Sequence, residues 1–270
     1  MPKVLPLDKY LKVNTEYRTD EREAYVIEAV GATFADTFYL EIDRKPTGSL
    51  HGQLAPDCTG NAKVASLLNL GRLYYVVPPL TPYKAVTSAT GWVRVKGRKI
   101  ILAPGEGVPE EVTGRYGTQY SHFLTAYVPV LSFGAATSWP PDAEYDVLVL
   151  ETKTNERVKF TYKMLRSVSG FTMSPASIAL KAYFDSIPVD DVWNTQTEWP
   201  GWDLYSVPSP TDVSYSREPY DLSGFPFVVE PDNTFRLAVR NVSGSAISLS
   251  NASITLYLLA EYERITGGGG

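Results

Sequence analysis

The sequence predicts an all-β protein built as an antiparallel β-sandwich, either one sandwich or two related ones in tandem. Three observations predict it. Between Phe227 and Ile265 apolar and polar residues alternate with period two, which gives each strand one dry and one wet face. Elsewhere, short runs rich in Val, Ile, Tyr and Phe recur between clusters of Pro, Gly, Asn and Asp. No segment carries the spacing of an amphipathic helix of three turns.

Taken in order, residues 1–20 read as an arm. Two prolines and scattered charges without a period suggest a segment that orders on a partner or on the body of the protein. Tyr25–Val30 is the first strand and Phe38–Ile42 the second, ended by Lys45-Pro46-Thr47-Gly48. Residues 52–63 form a polar loop, and Val64–Leu70 reads as a strand. Leu73–Val77 is a strand stopped by Pro78-Pro79. Trp92–Val95 and Lys99–Leu102 read as a hairpin about Lys96-Gly97-Arg98. Pro104–Pro109 is a loop. Tyr120–Phe133 is strand-like, with Pro129 marking an edge or a bulge.

Trp139-Pro140-Pro141-Asp142 reads as a hinge between halves. Tyr145–Glu151 and Arg157–Leu165 make the clearest hairpin, with a polar tip at Thr152–Glu156. Ile178–Phe184 alternates again. Residues 186–224 form a loop too long for a mere connection, which marks it as functional or as an interface. Three last strands, turned at Asn241–Gly244 and Asn251–Ser253, read as one sheet. The expected organisation is an arm (1–20), a first β-domain (21–138), a second (139–265) with the loop 186–224, and a flexible tail (266–270).

One pair of segments echoes. Tyr75-Val76-Val77-Pro78-Pro79-Leu80-Thr81-Pro82-Tyr83-Lys84 lies in register with Phe227-Val228-Val229-Glu230-Pro231-Asp232-Asn233-Thr234-Phe235-Arg236. The echo suggests two β-domains of related topology. A strand, a proline turn and a strand also recur by chance in all-β chains, so the segments alone leave both explanations open.

Composition narrows the function classes. A chain of 270 residues can bury a sizeable core. A net charge of −5 without a basic cluster argues against direct, sequence-specific nucleic-acid recognition. The single cysteine, Cys58, leaves no internal disulfide, so the fold is expected to stand on packing. Neither an apolar secretion segment nor a membrane span is recognisable.

Catalytic patterns are weak. His51, His122, Cys58 and Asp57 contain metal-ligating types, but their spacing matches no ligand motif. There is no Gly-x-Ser-x-Gly elbow and no P-loop. Asp190-Asp191 with Glu198 could be a carboxylate set for glycoside hydrolysis, yet adjacent acids on a strand point to opposite faces. The expectation is therefore a non-enzyme without cofactor or metal. The sharper candidates are Trp193, Trp199, Trp202 and Tyr205. They could anchor a protein interface, stack on sugar rings with Asp203 binding hydroxyls, or pin the loop to its own sandwich. Asn241-Val242-Ser243 and Asn251-Ala252-Ser253 match the glycosylation sequon and are read as ordinary turns.

These elements favour sandwiches of jelly-roll type. The runs FVVEPDNTFRLAVRNVSGSAISLSNASITLYLLAEYERI and YYVVPPLTPYKAVTSATGWVRVKGRKIIL, about a quarter of the chain, resemble the closing strands of bacteriophage and archaeal-virus structural proteins. The resemblance implies a virion protein: a jelly-roll capsid subunit, or a decoration, fibre or tail component, assembling with copies of itself and other virion proteins. The alternative is a carbohydrate- or receptor-binding module whose partner is a host-surface glycan.

Overall fold

The computed structural model of the chain describes residues 2–57, 67–171, 178–188 and 226–265. The chain divides into two compact units, Met1–Ala126 with Glu261–Arg264, and Tyr127–Ala260 with Ile265–Gly270. The fold class is as expected: the described residues are mostly strand, and the long ladders are antiparallel.

The first unit contains β1 (Lys3–Lys12), β2 (Tyr17–Arg18), β3 (Glu23–Ala32), β4 (Thr37–Ile42), β5 (Lys45–Pro46), β6 (Leu50–His51), β7 (Leu68–Asn69), β8 (Tyr75–Val77), β9 (Pro82–Val86) and β10 (Trp92–Ile101). Helix α1 (Glu110–Thr118) and β11 (His122–Tyr127) follow. One sheet has the order β1-β10-β3, with β7 and β8 on the far side of β3; the other has the order β2-β9-β4-β5, with β6 also on β4. Leaving aside the two-residue additions β6 and β7, successive strands therefore switch sheets except at the β4–β5 hairpin, in the pattern of a jelly roll.

The second unit repeats the frame. It contains β12 (Val130–Ser132), β13 (Thr137–Trp139), β14 (Glu144–Glu151), β15 (Glu156–Phe171), β16 (Ile178–Phe184), β17 (Ile187–Pro188), β18 (Phe227–Val229), β19 (Thr234–Asn241) and β20 (Ile247–Arg264). One sheet runs β13-β20-β15-β18, with β12 also on β20; the other runs β14-β19-β16-β17. Strand for strand these orders match β1-β10-β3-β8 and β2-β9-β4-β5. The last four residues of β20 belong to the first unit, where the Arg264 N–H donates to Ser121 O (2.7 Å) and Tyr262 stacks on Phe123 at 5.0 Å.

The echo in the sequence is this repeat, and it extends to single hydrogen bonds. Tyr25↔Val77 matches Val158↔Val229 in register, and Tyr17↔Tyr83 matches Leu150↔Phe235. Between the paired strands the chain crosses from one sheet to the other through Leu80 and Asp232, both left-handed at φ 56° and 60°. Each crossing is held by a buried threonine from a neighbouring crossing. The Thr19 hydroxyl donates to Pro78 O (2.6 Å) and accepts the Thr81 N–H (3.0 Å). The Thr152 hydroxyl donates to Glu230 O (2.5 Å) and accepts the Asn233 N–H (3.3 Å). The turns after β4 and β16 also agree: Asp43 and Arg44 have φ 51° and 60°, Asp185 and Ser186 have φ 47° and 71°. Two consecutive left-handed residues make the tight hairpin whose twist suits the strands.

Several expectations are corrected. Residues 3–12 are not an arm: β1 pairs with β10 along its whole length, and Leu7 and Leu11 are buried. Their alternation in Lys3–Lys12 is partly hidden by Pro6 and Lys9. Trp92–Leu102 is not a hairpin about Gly97 but the single strand β10, with an irregularity between Lys96 and Gly97. Gly97 is needed there because a Cβ would meet Val26 O at 2.0 Å. Tyr145–Glu151 and Arg157–Leu165 do not pair. β14 pairs with β19 and β15 with β18, so the segment between them is a crossing between sheets.

The three closing strands likewise do not share a sheet, since β19 pairs with β14 and β16 while β20 lies beside β15. Asn251 is not a break. It sits inside β20 at φ 49° and resets the alternation, with Ile247 and Leu249 buried before it and Ala252, Ile254 and Leu256 after it. The register to β20 slips by one between Thr137↔Leu249 and Ser132↔Ser253, as a bulge requires.

Trp139–Asp142, expected as a hinge, is the turn from β13 to β14 within the second unit. Trp139 is fully buried and its indole N–H donates to Ala143 O (3.0 Å). Helix α1 went unforeseen because it is short and interrupted by Gly114 and Gly117. It has Glu110 and Glu111 in its first turn, where acids suit the helix dipole. Val112 and Tyr116 pack on Ala24, Val26, Val76, Ile100 and Leu102, closing part of the outer face of the first sheet. No helix among the described residues is long and apolar enough to cross a membrane.

Thr19→Val and Thr152→Val each keep volume but remove the hydroxyl that bridges a backbone carbonyl and N–H of a crossing, although at the second crossing the Asn233 N–H still donates to Glu230 O at 3.3 Å. Each is expected to cost about 1–3 kcal/mol, read as a lower urea midpoint; an unchanged midpoint in both would remove the threonine clamp as a structural element.

Candidate functional site

Trp193, Trp199, Trp202 and Tyr205 lie outside the described residues, as do Cys58, Asp190, Asp191, Glu198 and Asp203. Of the loop 186–224 only Ser186–Pro188 falls within them. The histidines can be placed, both in the first unit. His51 is buried on β6, and its Nδ1 accepts the Gln53 N–H (3.2 Å). Burial pushes its imidazole below the ordinary value, against a smaller opposing pull from Asp36. His122 Nε2 lies 2.6 Å from Glu261 Oε1, which Arg72 Nη2 also reaches at 2.6 Å. Both histidines thus serve packing or hydrogen bonding, and no group of three metal-ligating side chains forms among the described residues. Asn241 likewise spends its amide on neighbouring groups, its NH2 donating to Trp139 O and Pro140 O of the β13–β14 turn and to Ser245 O, its Oδ1 accepting from Ser243.

Two features of β1 stand out. On its outer side, Val4 and Tyr10 are exposed (52% and 43%), and Trp92 on the adjoining β10 is 44% exposed. β1 is an edge strand, which is why Pro6 is tolerated within it. Arg94 lies over the Tyr10 ring at 5.1 Å and grips Asp8 through two bonds of 2.8 Å. Those bonds hold the Asp8 carboxyl below the usual carboxylate range. Edge, aromatic residues and charges together make a surface suited to a protein contact.

On the inner side of the same strand sits a polar cluster that sequence reasoning missed. Lys9 donates to the Tyr83 hydroxyl (2.7 Å) and lies 4.6 Å from the Tyr17 ring and 5.3 Å from the Tyr83 ring. Tyr17 and Tyr83 stack at 5.8 Å, and Tyr25 meets Tyr83 edge-on at 5.8 Å. The Tyr25 hydroxyl donates to Glu23 (3.2 Å), which pairs with Lys99. Burial lowers the Lys9 ammonium below its ordinary value, aided by repulsion from Lys99 and opposed by Glu23; burial raises Tyr25 and Tyr83. The residues come from β1, β2, β3, β9 and β10, so only folding brings them together. The one sequence signal was a lysine at position 9 between Leu7 and Leu11.

No family model matches the chain, and no curated protein matches it. Among solved structures it is similar to the major capsid protein P2 from bacteriophage PM2, at 8% identity, over 98% of this chain and 100% of that one, with a TM-score of 0.40. It is also similar to a triple-jelly-roll protein of an archaeal virus (11% identity, 98% and 61% covered, TM-score 0.25). A third likeness is to PNGase F, a glycosylasparaginase from Flavobacterium meningosepticum (10% identity, 96% and 96% covered, TM-score 0.28). The jelly-roll assignment rests on the strand order described above.

His51 supplies a pH dependence with a definite sign. Its folded value lies below the unfolded one of about 6.5, so the unfolded chain binds the extra proton. Stability is therefore full above about pH 6.5 and falls as pH drops from there toward the folded value. Urea midpoints between pH 7 and 5 should decline in the wild type and decline less in His51→Gln; parallel declines would show that His51 is not the cause.

Proposed function

We propose that this chain is a structural virion protein, a capsid subunit or a capsid-associated decoration or fibre protein, that acts by self-assembly. The observation that supports it is the repeat: one chain builds the same two-sheet, eight-strand frame twice. That frame serves viral shells, though also lectins and cupins, and a fold by itself does not name a function.

The surface of β1 narrows the reading. Its edge and outer face present Val4, Tyr10 and the neighbouring Trp92 to solvent. Symmetric copies would repeat one such contact many times, so a modest patch suffices for a stable shell. Segments 1–20 and 186–224 are the proposed contact regions, the first now through the outer face of a folded strand. Partners are copies of the chain and other virion proteins, and the place of action is the virion.

Light scattering across a concentration series tests the reading. The wild type should grow into a discrete oligomer or large closed particles. Val4→Asp with Tyr10→Asp should shift that growth at least about tenfold in concentration, the effect of roughly 1.4 kcal/mol, while thermal unfolding stays near wild type. A strict monomer at every concentration would overturn it.

A further inference from the structure

The repeat supplies an internal control for the polar cluster. The wall positions held by Tyr17, Tyr25 and Tyr83 in the first unit correspond, by register, to Leu150, Val158 and Phe235 in the second. Val158 and Phe235 are buried there, and Phe235 meets the rings of Phe160 and Phe184. The frame therefore closes with hydrocarbon at these positions. At the three tyrosine positions, then, the frame itself requires no hydroxyl.

The chemistry of Lys9 and the phenols indicates what they can hold. An ammonium has three donors, and Lys9 spends one on Tyr83; among the described residues it has no carboxylate partner. The Tyr17 hydroxyl accepts the Lys12 N–H (3.0 Å), which leaves its own proton to donate. Lys9 and Tyr17 are both half-buried, on the edge strands β1 and β2, so the donors lie on the open side of the sandwich. Glu23, the one carboxylate of the cluster, is occupied by Lys99 and Tyr25.

We propose that Lys9, Tyr17 and Tyr83 form a receiving site for a single oxyanion, a carboxylate or phosphate group, at the open side of the first jelly roll. The anion would take the free donors of Lys9 and the proton of Tyr17, as charge-assisted hydrogen bonds. It would also restore to the ammonium the counter-charge that burial and Lys99 deny it. The source is either a dissolved anion or an acidic side chain of another copy of this chain.

The test follows the Lys9 side-chain amine and the tyrosine rings by NMR while inorganic phosphate, then acetate, is added at constant ionic strength. A saturable shift is expected, together with a rise in melting temperature. Lys9→Met should abolish both, and Tyr17→Phe should weaken binding severalfold. Lys9→Met is expected to fold, because the second unit packs hydrocarbon in the same frame, and its melting curve checks this. If the dissolved anions give no shift but Lys9→Met weakens self-association by tenfold or more, the source is a carboxylate of another copy. That arm depends on the assembly reading; the anion titration does not. No saturable shift together with unchanged self-association in Lys9→Met would overturn the site.

Discussion

Everything in this chain depends on how it crosses between two sheets. Apart from one hairpin in each unit, successive strands of this frame go to opposite layers, and each crossing takes backbone N–H and C=O groups out of both ladders. Buried groups of that kind must find partners. In both units the solution is the same: a left-handed residue at the bend, Leu80 or Asp232, and a buried threonine hydroxyl that bridges the carbonyl before the bend and the N–H after it. With the crossings secured, the sheets have little choice of register. The apolar alternation of β9 and β19 then points Tyr83 and Phe235 inward.

The two units use one frame for different interiors. The second closes on phenyl rings, with Phe184, Phe227 and Phe235 in mutual contact and Phe160 on Phe235. The first places hydroxyls and amines at corresponding wall positions. It covers part of its outer face with α1, whose neighbour Gln119 pairs its amide with both backbone groups of Val76 like an added strand residue. The C-terminal end of β20 completes that unit through Glu261, held by Arg72 and His122. Thus the first unit carries the extra polar chemistry and the second the plainer core.

Legibility followed from the range of each interaction. Strands were read well where alternation was clean, as in Phe235–Val239 and Ile254–Ala260. Pairing was misread wherever two strands were close in sequence. Tyr145–Glu151 and Arg157–Leu165 have the spacing of a hairpin, and a crossing between sheets has that spacing too; alternation reports faces, not neighbours. The surface half of the candidate site is partly visible in sequence, since residues 1–20 stand apart in composition, although their prolines and charges hide the strand. The Lys9 cluster was invisible because its members are drawn from positions 9 to 99 and meet only across two sheets.

By itself the sequence determined the all-β class, most strand positions, the mild acidity and the likeness of Tyr75–Lys84 to Phe227–Arg236. Those are local properties, set by side-chain period, turn chemistry and charge. Only the tertiary structure decided which strands are partners, that residues 3–12 are a strand of the core, that Gly97 and Asn251 lie within continuous strands, and that the echo is a repeated jelly roll. Each of these depends on hydrogen bonds and contacts between residues far apart in the chain. Such bonds leave no mark on the period of either strand that makes them.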